Sequence, residues 1–194
     1  MFKNLKNKTI FLASQSPRRK ELLEKTGIKF RVEYFSEINE NYPVNLAISE
    51  VALYLAKQKQ MAYEYLWSLP NHIVITADTI VALDNQILGK PANKKESIEM
   101  LSLLSGKTHQ VISGVSVKDN SKTVDFSEVT DVTFKPLLKK EIDYYVNNYN
   151  TFDKAGGYGI QDWIGLMAIS CISGSYYNVM GLPVHRLYEA LSQF

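Results

Sequence analysis

A serine-containing turn near the N-terminus has the composition of an anion-binding site. Ser14 and Ser16 supply hydroxyl groups, Pro17 follows, and Arg18 and Arg19 come next. A serine followed by a proline is typical of a helix start, where free N–H groups and the positive end of the helix dipole attract anions. Guanidinium groups in the same turn can bind phosphate oxygens through paired hydrogen bonds. The turn therefore predicts a phosphate site, whereas the structural alternative is a solvated run of surface charge.

Two acidic residues could assist such a site. Asp78 stands between two apolar, strand-like runs, residues 73–77 and 80–83, where a carboxylate must be paired, metal-bound or at an exposed strand end. Glu40 closes an acidic loop that could equally be a solvated loop. Bound phosphates would favour a divalent cation, Mg²⁺ or Mn²⁺, and one or two carboxylates usually hold Mg²⁺. Glu40 and Asp78 are therefore the candidate metal ligands, and turn hydrogen bonds to Asp78 are the alternative.

Three further residues could contact a nucleotide. Lys90 lies between a glycine and a proline, which constrain its backbone and suit it to a phosphate oxygen, although it could be an ordinary turn lysine. Gln161 ends the glycine-rich run 154–161, and its amide could hydrogen-bond a base edge or simply begin a strand. Thr79 could bind substrate or merely favour the extended backbone. We therefore regard all three as candidate substrate contacts with a structural alternative.

Several other functional classes lack their residue patterns. The three histidines do not cluster with cysteine or carboxylates at the spacing of zinc ligands. Ser14 and Ser16 have no evident histidine and aspartate partners, which argues against a serine hydrolase. The glycine-rich run matches neither a dinucleotide-binding nor a P-loop fingerprint.

Length and composition favour one soluble intracellular domain. A chain of 194 residues can bury one substantial core, and we expect a single domain over residues 1–194. The net charge of +2 does not favour extended nucleic-acid binding. The one cysteine, Cys171, fits a reducing cytoplasm, and neither a signal peptide nor a membrane-spanning run is visible. We therefore expect a cytoplasmic protein with no membrane partner.

The order of elements favours an α/β fold. Strands and helices alternate in the first half, and a hairpin of two strands, residues 110–117 and 124–134, follows. The apolar spacing predicts a long helix over residues 43–66 and a last strand over 165–172. We therefore predict a mixed, twisted sheet flanked by helices.

Six motifs, in order, resemble those of the Maf family of nucleotide pyrophosphatases. They cover nearly the whole chain and read LASQSPRRKELL, ITADTIV, GKP, LSGKTHQV, DKAGGYGIQ and GSYYNVMGLP. The resemblance implies two lobes around a central cleft, similar to inosine triphosphate pyrophosphatases. It also implies metal-dependent hydrolysis of a nucleoside triphosphate to the monophosphate and pyrophosphate, and a possible homodimer.

The resemblance also gives each candidate residue a role. The positions that match family motifs are Ser16, Arg18 and Arg19 in the phosphate site, Asp78 as proton acceptor, Thr79 and Gln161 in substrate choice, Lys90 in GKP, and Glu40 in the acidic segment. That segment departs from the family's D-I-D-E-like pattern, because residues 37–40 read EINE. The loop AGGYGIQ resembles the corresponding loop of the family branch that acts on dTTP and UTP. The branch that prefers 7-methyl-GTP has a different loop.

Two other functions stay open at this point. The substrate could be a modified or methylated nucleotide, which would make the protein a house-cleaning pyrophosphatase. Alternatively, the protein could be a non-catalytic nucleotide- or nucleic-acid-binding regulator, because Maf proteins have been linked to septum formation. Glu40, Asp78 and Lys90 together argue for catalysis, since binding alone needs fewer carboxylates near phosphate.

Overall fold

The computed structural model describes residues 3–35 and 40–194 of the chain. Most of the acidic segment, residues 36–39, therefore lies outside the described residues. The strands are β1 Thr9–Ala13, β2 Arg31–Glu33, β3 His72–Leu83, β4 Gln86–Leu88, β5 Thr108–Lys118, β6 Thr123–Phe134 and β7 Ile169–Ser173. The helices are α1 Pro17–Lys25, α2 Ile48–Met61, α3 Glu64–Trp67, α4 Lys94–Leu104, α5 Lys139–Asn148, α6 Trp163–Ala168, α7 Tyr176–Val179 and α8 Val184–Leu191.

The described strands form one mixed sheet. Its order is β2-β1-β3-β5-β6-β7, with β4 paired to β3. β1 runs parallel to both β2 and β3, whereas β4 is antiparallel to β3 and β7 is antiparallel to β6. The buried parallel strands read as continuous apolar runs, as expected when both faces of a strand are covered. The predicted α/β fold with a mixed sheet and flanking helices is confirmed.

Contacts divide the chain into two compact units. The first contains the described residues up to Asp78, together with Ser113–Glu128 and Gly181–Phe194. The second contains Thr79–Ile112 and Val129–Met180. The expectation of a single domain and that of a central cleft both stay predictions.

Each unit has its own apolar cluster. In the first unit, Phe11 and Val74 pack with Tyr63 and Leu66. In the second unit, a larger cluster includes Leu101 and Leu104 of α4, Tyr145 of α5 and Tyr158. None of the helices in the described part of the chain is long and apolar enough to cross a bilayer.

Two elements differ from the predicted boundaries. The helix expected over 43–66 begins only at Ile48, because a turn closed by the Leu46 N–H and the Pro43 carbonyl precedes it, and it ends at Met61 before the short α3. The first part of the strand expected over 165–172 is helical, since α6 extends to Ala168 before β7 begins. The apolar run 163–173 is compatible with either structure on pattern alone.

Candidate active site

The serine turn forms the predicted helix start. Ser16 is the N-cap of α1, and its hydroxyl accepts a hydrogen bond from the Arg19 N–H at 3.4 Å. The Ser14 hydroxyl accepts from the Ser16 N–H at 3.2 Å. Pro17 occupies the first helical position, where its missing N–H costs nothing. Both hydroxyls therefore shape the turn, and their predicted contact with substrate stays a prediction.

Arg19 connects the start of α1 to neighbouring backbone. Its Nε donates to the Gly181 carbonyl and its Nη1 to the Ala77 carbonyl, each at 2.8 Å. Nη1 also lies 3.4 Å from the Ser14 hydroxyl. Because Ala77 directly precedes Asp78 in β3, these bonds fix the guanidinium beside the candidate catalytic carboxylate.

The charges of this turn interact with the two candidate acids. Burial lowers the pKa of Arg19, the charges of Asp78 and Glu40 oppose that change, and Arg18 adds to it. Arginine remains protonated under such a shift because its ordinary pKa is so high. The structure therefore brings Arg18, Arg19, Glu40 and Asp78 within electrostatic range of one another in the first unit.

Lys59 of α2 links the two acids. Its Nζ donates to Asp78 Oδ1 at 2.5 Å and lies 2.7 Å from Glu40 Oε1. The side chains of Lys59 and Asp78 are only 14% and 13% exposed, so this pair is weakly screened by solvent. Asp78 lies inside the continuous strand β3, although the sequence predicted an interruption there. Of the alternatives that the sequence left open for this carboxylate, the structure shows pairing with a lysine, and its role in metal binding or catalysis stays a prediction.

Lys59 is the site residue that sequence reasoning missed. Neither the candidate residues nor the family motifs read from the sequence include it. It lies three, four and seven residues after Ala56, Leu55 and Ala52, which are all buried on one face of α2. A lysine on an apolar helix face needs a buried partner, and this spacing is the signal that could have found it.

The two carboxylates fit a divalent cation by their chemistry. Oxygens of Glu40 and Asp78 converge on one positive charge, the Lys59 ammonium. Mg²⁺ commonly takes one or two carboxylates and completes its shell with water and substrate phosphate. Among the described residues, no group of three or more His, Cys, Asp or Glu side chains is arranged to hold a metal ion. The predicted ligands are therefore suitable, and metal binding stays a prediction.

The remaining candidates lie in the second unit. Thr79 is half-buried in β3, Lys90 is exposed after β4, and Gln161 is exposed in the turn before α6. The Gly156 N–H donates to the Gly89 carbonyl at 3.0 Å. This bond joins the glycine-rich loop that precedes Gln161 to the segment that carries Lys90.

The structure thus sorts the predicted residues into two groups. Those of the first unit, which the bonds and charges described above bring together, are Ser14, Ser16, Arg18, Arg19, Glu40 and Asp78. Those of the second unit are Thr79, Lys90 and Gln161. Their assigned roles in binding and catalysis stay predictions.

Comparison with known proteins gives matches over the full chain. A family model described as Maf-like protein (Maf) matches residues 9–194. A dTTP/UTP pyrophosphatase of Phocaeicola vulgatus is 51% identical over 193 residues, and the match covers 100% of each of the two chains. A dTTP/UTP pyrophosphatase of Porphyromonas gingivalis is 49% identical over 195 residues, covering 100% of this chain and 98% of that protein. Among solved structures, a HAM1 protein from Coxiella burnetii matches with a TM-score of 0.42 and 13% identity. The match covers 66% of this chain and 73% of that one. This similarity is too distant to bear on fold or function.

Proposed function

Because this chain belongs to the Maf family, we propose that it is a nucleoside triphosphate pyrophosphatase whose preferred substrates are dTTP and UTP. The family predicted from the sequence motifs is thereby confirmed. The relatives that carry the name dTTP/UTP pyrophosphatase support the proposed substrates. The observation that carries the proposal is the Lys59 ammonium held between Asp78 and Glu40, beside the arginine-bearing start of α1.

The reaction is hydrolysis at the α-phosphate. The oxygen of a water molecule forms a bond to the α-phosphorus, the bond from that phosphorus to the bridging oxygen breaks, and pyrophosphate leaves. We assign the proton lost by water to Asp78 Oδ2, since Lys59 contacts Oδ1. A divalent cation held by Glu40 and Asp78 would supply neutralisation of phosphate charge and Lewis acidity.

The positive groups of the first unit would bind the phosphate chain. The first turn of α1 offers N–H groups and a favourable dipole, and Arg18 and Arg19 add guanidinium charge. Arg19 is held in place by two carbonyl oxygens, so little reorganisation would be needed when charge develops on the phosphates. We assign Ser14 and Ser16 to the shape of this turn and to contact with the phosphates.

The residues of the second unit receive the remaining roles. Lys90 is exposed, and we assign it to a phosphate oxygen. We assign Thr79 and Gln161 to the choice of nucleotide, as the family resemblance implies. A homodimer, also implied by the resemblance, would be tested by sedimentation velocity of the purified chain.

A panel of triphosphates tests the proposed function. Purified protein is incubated with dTTP, UTP, CTP, purine triphosphates and 7-methyl-GTP, in Mg²⁺ or Mn²⁺, with and without chelator, and pyrophosphate is measured. We expect dTTP and UTP to give the highest kcat/KM and the chelator to abolish turnover. In water enriched in ¹⁸O, the label should enter the monophosphate, since attack occurs at the α-phosphorus.

Other outcomes of the panel separate the alternatives. A preference for methylated triphosphates would identify a house-cleaning pyrophosphatase in place of a dTTP/UTP enzyme. Tight nucleotide binding without metal-dependent turnover would contradict the enzymatic proposal and support a regulatory protein.

A further inference from the structure

A polar network in the second unit brackets Gln161. The Tyr145 hydroxyl donates to Asp162 Oδ2 at 2.7 Å and accepts from the Gly159 N–H at 3.1 Å. Gln161 lies between these two partners in the chain. One hydroxyl on α5 therefore holds both ends of the short segment 159–162.

The anchor of this network is rigid. The side chain of Tyr145 is completely buried, and its ring stacks on Tyr149 at a centroid distance of 5.0 Å and an interplanar angle of 23°. Ile142 and Val146 of the same helix are buried in the same apolar cluster. Burial raises the pKa of Tyr145, so its hydroxyl keeps its proton and remains a donor. An exposed amide, Gln161, is thus supported by a turn that is fastened to the core.

Lys154 balances the charge of Asp162. Its Nζ lies 3.6 Å from Asp162 Oδ2 and 2.9 Å from Asp153 Oδ1, and it donates to the Asn150 carbonyl. The Lys154 side chain is nearly buried, which a lysine tolerates only with partners.

Gly159 leaves the space that the network occupies. A Cβ at this position would lie 2.7 Å from Asp162 Oδ2 and 2.8 Å from Lys154 Cε. Both atoms are near the ends of flexible side chains, so an alanine would displace the network without forcing the backbone to move. The glycine is therefore required by the polar contacts and offers a second way to break them.

From these contacts we propose that Tyr145 is a positioning residue for substrate selection, acting through Asp162 and the Gly159 amide to fix the presentation of Gln161. The inference rests on the proposed function, in which Gln161 takes part in the choice of nucleotide. The network lies in the second unit, whereas Asp78 and Lys59 lie in the first. Its loss should therefore change which triphosphate is preferred more than it changes the rate of the chemical step.

Tyr145→Phe tests the proposal, since it removes the hydroxyl and keeps the ring. We expect the ratio of kcat/KM for dTTP to that for dGTP to fall about tenfold, the effect of losing one hydrogen bond to a charged acceptor. The change should come from a higher KM for dTTP, with kcat nearly unchanged. Tyr149→Phe removes a hydroxyl from the stacked partner and should leave the ratio unchanged.

A double-mutant cycle separates positioning from general destabilisation. If Tyr145 acts through Gln161, then Tyr145→Phe should cause no further loss of selectivity in a Gln161→Ala background. Gly159→Ala should reproduce the selectivity loss of Tyr145→Phe by displacing Asp162 and Lys154. Thermal melting of each variant confirms that it is folded.

Several results would overturn the positioning role. These are unchanged selectivity in folded Tyr145→Phe, equal losses for dTTP and dGTP, or an additive loss in the double variant. These results are distinct from a failure of the proposed function, because in that case the wild-type protein itself would hydrolyse no triphosphate. A wild-type enzyme that prefers dTTP, combined with a Gln161→Ala variant of unchanged preference, would overturn the positioning role alone.

Discussion

Lys59 changes the interpretation of the acidic residues in the site. From sequence, Glu40 and Asp78 are expected to share a divalent cation. In the structure both carboxylates contact the Lys59 ammonium, so one of their two negative charges is already compensated before any metal binds. A metal ion at this place would compete with Lys59 for the same oxygens. We infer that triphosphate and metal bind together, because the phosphate charge would then offset the added cation.

The role of Asp78 is testable by Asp78→Asn. The amide keeps an acceptor for Lys59 but cannot take a proton from water, so we expect turnover of dTTP to fall ~10²–10⁴-fold. Steady-state pyrophosphate release measures this loss, and thermal melting shows that the variant is folded at the assay temperature. The matched control is Asp125→Asn. Asp125 pairs at 3.3 Å with Lys57, which lies on α2 like Lys59, but it has no assigned role. Near-normal turnover by a folded Asp78→Asn protein would contradict the role of proton acceptor.

At the scale of elements, local signals predicted α1 well and α6 poorly. Ser16 and Pro17 begin α1 as expected, and Gly27 follows its end with a φ of 76° that suits glycine. Gly165, by contrast, was expected to begin a strand. A Cβ there would lie 1.8 Å from the Ile160 carbonyl oxygen, so the close approach of the backbone five residues earlier explains the glycine. Contacts of this kind leave no trace in local periodicity.

The site was predictable to the extent that its residues carry local signals. The helix start that carries Ser16, Arg18 and Arg19 could be predicted because its cap and its charges are adjacent in sequence, and the roles of these residues in binding stay predictions. The ring of Tyr145 packs in the apolar cluster of the second unit. Its hydroxyl meets residues that follow 14 and 17 positions later, and only the folded chain brings them together.

The packing of α2 on β5 gives a prediction about stability. At Gly114 of β5, a Cβ would lie 2.2 Å from the Leu53 nitrogen and 2.3 Å from Leu53 Cα, both backbone atoms of α2. Gly114→Ala would therefore force the helix away, and we expect the free energy of unfolding to fall by about 3 kcal/mol, at the upper end for overpacking. Because α2 carries Lys59, turnover should fall as well.

Denaturant unfolding measures the effect of Gly114→Ala, and Gly89→Ala is its control. A Cβ at Gly89 meets no heavy atom within 4 Å, so stability should be unchanged there. A Gly114→Ala protein as stable as the wild type would show that the approach of α2 to β5 is not tight.

At the scale of the whole molecule, the strands make the two units interdependent. β3, β5 and β6 each contribute residues to both. Because each of these strands runs through both units, unfolding of one unit would disrupt strands that also belong to the other. We infer that the whole chain unfolds in one cooperative transition. Such a transition is what the predicted single domain would show.

A buried histidine gives the second unit a dependence on pH. His109 Nε2 lies 2.7 Å from the Tyr158 hydroxyl, and its ring meets Phe134 edge to face. Among the described residues, its Nδ1 has no hydrogen-bond partner. Burial lowers the pKa of His109 from 6.5 to about 4, so the native state keeps the ring neutral while the unfolded chain takes up a proton below pH 6.5. Stability is therefore lost as the pH falls from about 6.5 towards 4, by about 2 kcal/mol at pH 5.

The two tryptophans of the chain can report whether both units feel this loss. Trp67 belongs to the first unit and Trp163 to the second. Trp163→Phe and Trp67→Phe each leave one probe, and fluorescence in denaturant gives the unfolding midpoint seen by that probe. Because three strands are shared, we expect equal midpoints at pH 7 and an equal decrease for both probes at pH 5. His109→Gln should remove most of that decrease, and a shift confined to Trp163 would mean that the units unfold independently.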